Sequence, residues 1–505
     1  MVEVLSEFAA LADLLGRWTL VVLVLLGALP LASASYQFLL IGMHATKNHY
    51  DEVAPCFPRV AILIPAWNEA AVIGTSIDRL MRLDYPPDRL RIYVVDDAST
   101  DATPDVVLAR SQRHPGQIVH LRREKGGEGK AHTLNHGLRE ILADDWMEAL
   151  LIMDADVVYE PDSLRRMTRH FGDPEVGAVT TYIKEGTASP NWMNRFIGYE
   201  YITAQAAARR SQNVLGAVAC LAGGAQLHTR ANLVAIGGEI DTSSLAEDTF
   251  TTFKTQLAGN RVVFEGNATV WAEEPDDIDG LWKQRLRWAR GNVQVTLRYR
   301  HLWFRPTDRH RLGSWSFGLF WFCLFLLPVF MIAASASLVA LFFIDFPLSW
   351  ATFRALWIIN ALSYVFITCF ALMIDTDTAR KTWREAAMFP GVVSVLIILY
   401  SCFPRLFRWM LFEAMALVDI PTTVPVLRSI MLFAYVWLAG TMLVAWGSRN
   451  LEKRARLRWL SPLLVYAGGY GPLLCAITFA SYVKEARGAE MAWDKTEKSG
   501  KMVAA

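Results

Sequence analysis

Long apolar stretches without charged residues alternate along this chain with stretches in which charges are frequent. A helix that crosses a bilayer needs about 20 consecutive, mostly apolar residues. Stretches without Asp, Glu, Lys or Arg that suit this length lie at 18–43, 312–344, 355–374, 386–404, 429–448 and 459–483. The pattern therefore predicts a membrane protein with one span near its start and five crossings after residue 311.

The first apolar stretch has two interpretations, because the small residues at 32–34 resemble the cleavage site of a signal peptide. A signal peptide begins with positive charge, whereas the residues before this stretch include three acidic residues and one basic residue, Arg17. We therefore expect residues 1–43 to form a retained transmembrane anchor.

The polar region that follows has the pattern of an α/β domain, with short β-branched runs between amphipathic stretches. Strands are predicted at 60–65, 91–95, 117–121, 149–153, 176–181 and 261–265. Helices are predicted at 69–83, 103–114, 130–143, 161–171, 193–212 and 245–258. Because strands that alternate with helices pair in parallel, we expect a parallel or mostly parallel sheet within residues 44–275.

Composition supports a membrane protein and argues against two other classes of protein. Of 505 residues, 53% are hydrophobic and 20% are charged, and the mean hydropathy is +0.24. The 50 basic and 49 acidic residues give a net charge of +1, which offers no overall attraction for nucleic acid. The six cysteines are scattered without a close pair, so neither a disulfide framework nor a zinc site is expected.

Acidic residues directly follow two of the predicted strands, with Asp96 and Asp97 after one and Asp154 and Asp156 after another. In an open α/β sheet, ligands bind beyond the carboxyl ends of the strands. We therefore expect both clusters to line one cleft, with Asp154 and Asp156 on the same side of an extended chain. Grouped carboxylates suit Mg²⁺ or Mn²⁺ bridging to a phosphate, whereas a single cluster is equally explained by helix capping.

Two further segments are weak signals when each is taken alone. The glycine-rich run that ends at Lys130 lacks the spacing of a phosphate-binding P-loop, so a plain turn competes with contact to a diphosphate at a helix start. Glu247 and Asp248 begin a predicted helix, where the helix dipole favours acidic residues without any catalysis.

Residues 276–311 are rich in both arginine and aromatic residues and immediately precede the second apolar stretch. This composition predicts an amphipathic helix at the membrane surface. Its arginines would face either lipid headgroups or an anionic ligand.

Together these motifs resemble those of the processive family 2 glycosyltransferases, which include the cellulose, hyaluronan, chitin and poly-N-acetylglucosamine synthases. The resemblance covers about residues 55–305 and is greatest to the bacterial poly-N-acetylglucosamine synthases. Two positions depart from the usual pattern, with Ala98 where glycine is common and Ala246 where the acidic motif usually begins with threonine. The matching residues are Asp97 in DDAST, Asp154 and Asp156 in DAD, Glu247 and Asp248, and Gln284, Arg287 and Trp288 in QRLRW.

The resemblance implies a role for each matching residue on the donor side of the site. Asp97 would accept a hydrogen bond from the uracil ring, and Lys130 would lie near the nucleotide. Asp154 and Asp156 would form the DxD pair, in which Asp154 orients the nucleotide and Asp156 reaches a divalent ion, Mg²⁺ or Mn²⁺, on the diphosphate. Arg287 would stabilise the departing diphosphate.

On the acceptor side, the resemblance makes Asp248, next to Glu247, the general base for a sugar hydroxyl. Trp288 would stack under the acceptor sugar, and Gln284 would bind substrate beside it. Gly223 and Gly224, in CLAGGAQL, resemble more loosely the loop that lets the acceptor approach closely.

The resemblance further implies a glycosyltransferase-A-type, Rossmann-like cytosolic domain inserted between transmembrane helices of the cell membrane. It divides the chain into an anchor, a catalytic domain, an interface helix, a channel-forming bundle and a polar tail. The implied partners are a UDP-sugar donor, a growing polysaccharide or glycolipid acceptor and membrane lipid, and a small accessory membrane subunit is compatible with it. The domain boundaries expected are 1–43, 44–275, 276–311, 312–483 and 484–505.

Three functions are compatible with these residues. The first is a processive inverting synthase of a β-linked polysaccharide, with UDP-N-acetylglucosamine as the first donor to test and UDP-glucose as the second. The second is transfer of a single sugar to a membrane lipid. The third is an inactive transporter or scaffold, which the uncharged membrane stretches and the complete set of cleft acids disfavour.

Overall fold

The computed structural model describes residues 2–47, 53–454, 456–491 and 502. The predicted segments 44–275 and 484–505 therefore fall partly outside the described residues. The chain forms two compact units. The first unit comprises Met1–Tyr36, Leu319–Met373 and Trp383–Val483, and the second comprises Gln37–Gly318, Ile374–Thr382 and Lys484–Ala505.

The first unit consists of apolar helices. Two helices near the start of the chain, α1 and α2, are joined by a 3₁₀ turn at Leu26–Ala28. The helices are α1 (Val2–Leu25), α2 (Leu29–Lys47), α12 (Trp315–Phe325), α13 (Leu327–Ile344), α14 (Phe346–Ile374), α15 (Thr376–Ala387), α16 (Val392–Cys402), α17 (Pro404–Leu417), α18 (Val424–Glu452), α19 (Leu460–Gly468) and α20 (Tyr470–Ala486). Of these, α2, α12, α14, α15 and α20 run partly into the second unit.

Within the described residues, the membrane-spanning segments agree with the predicted positions. Four helical segments are long and apolar enough to cross a bilayer: Ser6–His44, Leu327–Ile344, Phe346–Ile374 and Val424–Glu452. The count rises to six if α15 with α16, bent by 75°, and α19 with α20, bent by 94°, each form one span. Six spans correspond to the predicted anchor and five later crossings. Their direction across the membrane stays a prediction.

The second unit is built on one eight-stranded sheet with the order β3-β2-β1-β4-β7-β6-β8-β5. Strands β1, β2, β3 and β4 pair in parallel, as do β6 and β8. Strand β7 is antiparallel to both β4 and β6, and β5 is antiparallel to β8. The strands are β1 (Val60–Ala66), β2 (Leu90–Asp96), β3 (Ile118–Arg122), β4 (Ala149–Ile152), β5 (Val157–Tyr159), β6 (Val176–Glu185), β7 (Gln226–Thr229) and β8 (Arg261–Ala272).

Helices cover this sheet and confirm the predicted α/β class, with apolar helices on both sides of it in the sequence. Leu134 and Leu138 of α5 are buried in one core with Leu63 and Leu150 of the sheet. The helices are α3 (Ile73–Leu80), α4 (Thr103–Arg113), α5 (Lys130–Ala143), α6 (Ser163–Arg169), α7 (Trp192–Tyr201), α8 (Ala208–Leu215), α9 (Arg230–Ala235), α10 (Glu247–Leu257) and α11 (Ile278–Arg298).

The structure corrects the predicted elements in several places. Strands β5 and β7 were not expected, because each has only three or four residues and no alternating pattern to mark it. The predicted helix at 193–212 is interrupted by a π-helical segment at Ile202–Ala207, and β8 continues beyond residue 265 to Ala272. The chain also turns at residues 155–156, so the expectation that Asp154 and Asp156 lie on an extended strand is wrong.

Candidate active site

The first acidic pair lies where β2 ends beside β1. Asp96 is fully buried, and its carboxylate accepts hydrogen bonds from the backbone amide of Ser99 and from Arg122, both at 2.8 Å. Asp97 is 5% exposed and follows the strand directly. The carboxylate of Asp96 therefore fixes the turn, and Asp97 is the acid that follows it at the carboxyl end of β2.

A short loop, residues 123–127, contacts the carboxylate of Asp97. Arg123 forms an ion pair with Oδ1 of Asp97, and the backbone amide of Gly127 donates to Oδ2 at 3.0 Å. A Cβ added to Gly126 would overlap the carbonyl oxygen of Asp97, so this position requires glycine. Residues 123–127 thus occupy the hydrogen-bonding groups of Asp97, and sequence analysis missed Arg123 because its contact depends on a neighbouring strand.

Ala98, the residue at which the resemblance is imperfect, adopts a φ of +53°. This left-handed region is disfavoured for residues with a Cβ and is readily adopted by glycine. The structure therefore gives a physical reason for the glycine that is common in related chains.

The second acidic pair lies in the turn between β4 and β5. The hydroxyl of Ser76 donates to the carbonyl of Ala155 at 2.6 Å and fixes this turn. Asp154 and Asp156 are both half-buried, and the side chain of Asp154 is 39% exposed. The sheet thus brings the carboxylates of the DAD motif to an accessible position, although a turn rather than an extended strand presents them.

Two carboxylates at one turn fit a divalent cation that also binds a diphosphate. Among the described residues, no three His, Cys, Asp or Glu side chains are grouped as a metal site. Mg²⁺ is typically held by one or two carboxylates together with substrate phosphates, rather than by a complete protein cage. The oxygen ligands that Asp154 and Asp156 offer match that mode of binding.

Lys130, the first residue of α5, joins the acidic motifs. Its ammonium nitrogen lies 2.5 Å from Oδ1 of Asp154 and 3.4 Å from Oε1 of Glu247. It also donates to the carbonyl of Gly223 at 3.3 Å. The lysine side chain is 9% exposed. The structure therefore brings together four residues that were singled out in separate parts of the sequence.

Gly223 and Gly224 lie beside the charged groups of Lys130, Asp154 and Asp248. A Cβ on Gly223 would lie 3.1 Å from Nζ of Lys130 and 3.4 Å from Oδ2 of Asp248. A Cβ on Gly224 would lie 3.7 Å from Oδ2 of Asp154. Glycine at 223 therefore keeps open the space between a cation and the carboxylate of Asp248.

The electrostatics of the cluster follow from burial of opposite charges. Burial lowers the pKa of Lys130, but the carboxylates of Asp154 and Glu247 outweigh it and raise that pKa above its usual value. Burial raises the pKa of Glu247, an effect that Lys130 opposes. Burial and the nearby Asp248 raise the pKa of the Cys220 thiol. Lys130 is thus a permanent cation, and Cys220 is a neutral neighbour of Asp248.

Side-chain hydrogen bonds fix the loop at residues 218–224, which contains Gly223, against α10. Thr252 accepts from the backbone amide of Leu221 at 2.8 Å, and Thr180 accepts from that of Ala222 at 3.2 Å. Gln256 exchanges hydrogen bonds with the backbone of Val218 at 3.1 and 2.8 Å. These bonds fix the loop that contains Gly223 against the helix that begins with Glu247 and Asp248.

Helix α11 carries the QRLRW motif, which forms a buried polar network. Arg285 makes a two-pronged ion pair with Glu200 at 3.0 and 2.9 Å, and its guanidinium lies 4.2 Å from the centre of the Trp288 ring. Gln284 donates to Glu274 at 3.1 Å, and Tyr201 donates to the same carboxylate at 2.5 Å. Glu200 and Glu274 gave no sequence signal, because neither belongs to a recognisable motif.

The two arginines of this motif differ in burial. Arg285 is 6% exposed, whereas Arg287 and Trp288 are half-buried. Because a buried charge needs a partner, the pairing of Arg285 with Glu200 indicates a structural role for Arg285. Arg287, to which the resemblance assigns the departing diphosphate, is the more accessible of the two.

Comparison with known proteins places this site in a family. Residues 58–291 match the family described as "Glycosyltransferase like family 2". The chain is 30% identical over 354 residues to "Probable glycosyltransferase YdaM" of Bacillus subtilis (strain 168), covering 68% of this chain and 82% of that relative. The chain belongs to glycosyltransferase family 2. The matched region of this family 2 glycosyltransferase contains all the acidic motifs and the QRLRW sequence described above.

Two other relatives of this family 2 glycosyltransferase have different activities in their names. "Beta-monoglucosyldiacylglycerol synthase" of Synechocystis sp. (strain ATCC 27184 / PCC 6803 / Kazusa) is 33% identical over 244 residues, covering 48% of this chain and 50% of that relative. "Poly-beta-1,6-N-acetyl-D-glucosamine synthase" of Staphylococcus aureus (strain COL) is 29% identical over 240 residues, covering 47% and 56%. The chain therefore spans about half the length of these two relatives.

Proposed function

We propose that this protein is a processive, inverting glycosyltransferase that polymerises a β-linked polysaccharide from a UDP-sugar and extrudes it across the cell membrane. The observation that carries the proposal is the convergence of Lys130, Asp154, Glu247 and Asp248 around Gly223. This arrangement sets a cation and the DAD motif on one side of a small space and the carboxyl group of Asp248 on the other.

On the donor side, Asp97 accepts a hydrogen bond from the uracil, in place of the contacts it makes with Arg123 and Gly127. Lys130 and Asp154 orient the nucleotide end of the diphosphate, and Asp156 is the proposed ligand of Mg²⁺ or Mn²⁺. A divalent cation held there supplies positive charge to the leaving diphosphate. Arg287 adds a second positive charge, which matters most as negative charge develops in the transition state.

On the acceptor side, Asp248 takes the proton from the attacking sugar hydroxyl. A carboxylate is a weak base toward a sugar hydroxyl, so the proton moves as the new bond to the anomeric carbon forms. Gly223 leaves room for the hydroxyl to approach, and Trp288 stacks on the acceptor ring. Gln284 and Glu247 hold these groups in place through Glu274 and Lys130.

One displacement at the anomeric carbon of an α-linked UDP-sugar inverts its configuration, which gives a β-linkage without a covalent intermediate. UDP-N-acetylglucosamine is the first donor to test, because the relative from Staphylococcus aureus is named as a poly-N-acetylglucosamine synthase. A catalytic domain on the cytoplasmic side and a path for the polymer through the apolar helices complete the proposal.

Transfer of one sugar to a membrane lipid is the second candidate. It is supported by the relative named as a β-monoglucosyldiacylglycerol synthase, whose matched region has 33% identity. The same site chemistry serves both functions, because only the acceptor and the number of transfers differ. Product length therefore distinguishes the two.

The test is an assay of the purified protein in nanodiscs with a panel of labelled UDP-sugars and Mg²⁺ or Mn²⁺, followed by sizing of the product. Asp248→Asn should abolish transfer. Asp105→Asn, at an exposed acid in the first turn of α4, is the matched control and should retain activity. A long polymer supports the first candidate and a single-sugar lipid supports the second. Equal turnover by wild type and Asp248→Asn would contradict both.

A further inference from the structure

A buried arginine on α11 binds the end of the last helix, α20, and the residues that follow it. Arg290 is 5% exposed, and its guanidinium lies 2.5 Å from Oε1 of Glu485. It also donates to the backbone carbonyls of Ala489 at 2.6 Å and Glu490 at 2.9 Å. A buried cation requires a compensating charge and acceptors for its N–H groups. Residues 485–490 provide both, so this segment is an integral part of the second unit.

One turn further along α11, Gln294 connects the same segment to the loop before Glu247. Its amide nitrogen lies 3.4 and 3.3 Å from the two carboxylate oxygens of Glu485. Its amide oxygen accepts from the backbone amide of Leu245 at 3.0 Å and from the hydroxyl of Ser244 at 3.1 Å. The amide nitrogen and the amide oxygen of Gln294 therefore both form hydrogen bonds, one with α20 and the other with the loop before Glu247.

The loop is also in direct contact with the backbone of α11. A Cβ on Gly291 would overlap the Cβ of Ala246 and lie 3.1 Å from its backbone nitrogen. The hydroxyl of Ser244 accepts from the same backbone nitrogen at 3.1 Å. Residues 244–246 are therefore held from one side by three successive contacts of α11, immediately before the two acids that begin α10.

We infer that Glu485, Gln294 and Arg290 are positioning residues for the catalytic acids, so that residues 485–490, at and after the end of α20, determine the position of Asp248. This inference rests on the proposed function, in which Asp248 is the base. Glu485 orients the amide of Gln294, which in turn fixes Leu245 and Ser244, and these precede Glu247. Misplacement of a reacting group by about 1 Å can cost about 100-fold in rate.

The contacts that run from Glu485 through Gln294 to residues 244–246 are expected to affect kcat and not the binding of the UDP-sugar donor. Its hydrogen bonds end at residues 244–246, whereas Asp97 and its loop bind the nucleotide in the proposed mechanism. Removing one of these contacts should therefore lower kcat and leave the KM for the UDP-sugar unchanged. A general loss of folded protein would instead lower the amount of active enzyme and the unfolding midpoint together.

The test measures kcat and donor KM of the full-length protein in nanodiscs for Glu485→Gln and Gln294→Leu. Glu485→Gln keeps the shape of the side chain but removes its charge, and Gln294→Leu removes the hydrogen bonds to Glu485 as well as those to Ser244 and Leu245. Each should lower kcat about tenfold, with a donor KM within about twofold of wild type. Glu490→Gln is the matched control, because only the backbone carbonyl of Glu490 contacts Arg290 and its side chain is exposed.

The double variant adds a second readout. If Glu485 acts through Gln294, the combined loss in kcat should be no larger than the greater of the two single losses. Wild-type kcat in both single variants would overturn the inference, as would an equal loss in Glu490→Gln or a raised donor KM with unchanged kcat. If Glu485→Gln does not fold, Gln294→Leu decides by the same criteria.

Asp248→Asn separates this inference from the proposed function. If Asp248→Asn is inactive while Glu485→Gln and Gln294→Leu turn over at the wild-type rate, only the positioning role fails. If Asp248→Asn itself retains wild-type activity, the assignment of the base fails, and the proposed mechanism fails with it.

Discussion

The ammonium nitrogen of Lys130 lies 2.5 Å from Oδ1 of Asp154. Lys130 begins α5, after the third strand, and Asp154 lies in the turn after the fourth. The same nitrogen is 3.4 Å from Glu247, so one buried cation links the DAD motif to the acids of α10. Lys130 therefore balances the negative charge of Asp154 and Glu247 and lies between their two carboxylates.

Replacing Lys130 with methionine should destabilise the protein as well as impair donor binding. Removing one partner of a buried ion pair typically costs about 3–5 kcal/mol, because the remaining charge is uncompensated. The expected result is a lower unfolding midpoint and a higher donor KM, measured by thermal unfolding in detergent and by initial rates. Lys130→Met with Glu247→Gln should regain part of the lost stability. An unfolding midpoint as low in the double variant as in Lys130→Met alone would contradict this account.

The two arginines of QRLRW should respond differently to replacement by alanine. Arg285→Ala breaks the buried pair with Glu200 and should lower the unfolding midpoint, with a cost of about 3–5 kcal/mol. Arg287→Ala should reduce kcat at least about 100-fold, out of proportion to any change in the midpoint, because its charge acts on the transition state. Thermal unfolding and turnover of the two variants side by side check this. A lower midpoint only for Arg287→Ala and a lower kcat only for Arg285→Ala would show that Arg287 is the structural arginine and Arg285 the catalytic one.

Replacing Ala98 with glycine should stabilise the turn after Asp97. A residue with a Cβ at positive φ costs about 1–2 kcal/mol, which glycine avoids. Ala98→Gly should therefore raise the unfolding midpoint of the protein. The matched control is Ala102→Gly, where φ is −73° and glycine should only lower the midpoint. A lower midpoint for both variants would show that the strain at Ala98 is negligible.

Glu185 should make stability depend on pH. Burial raises the pKa of its carboxyl to about 7, although hydrogen bonds from Thr187 oppose the rise. Because the folded-state pKa lies above the ordinary value of 4.5, the stabilising contribution is complete below that value and is lost as the pH rises through about 7. Glu185→Gln should have a higher unfolding midpoint than wild type at pH 8 and a similar one at about pH 5.

The control for Glu185 is Glu140→Gln, at an exposed glutamate on α5. Its unfolding midpoint should follow that of wild type over the whole pH range. A constant difference between Glu185→Gln and wild type at every pH would argue against titration of Glu185.

Much of the architecture could be predicted from local sequence pattern. Charge-free stretches gave the membrane segments, and β-branched runs gave β1, β2, β3, β4 and β6, because apolar periodicity reports directly on burial. Asp97 and Asp154 were identified because acids that follow predicted strands are visible in the sequence, whereas Asp248 was identified through the resemblance to the family 2 glycosyltransferases. The short antiparallel strands β5 and β7 were not, since their pairing depends on distant partners.

The sequence by itself determined the α/β class, the apolar helices and the list of acids that carry the proposed chemistry. Only the tertiary structure decided how the charged residues of the site are held: Asp154 by Lys130, Arg285 by Glu200, and the loop before Glu247 by Gln294 and Glu485. The physical reason is that hydrophobic periodicity is a local property of the chain. A buried charge, by contrast, takes whichever partner the folded sheet and helices bring within a few ångströms, however far apart the two lie in sequence.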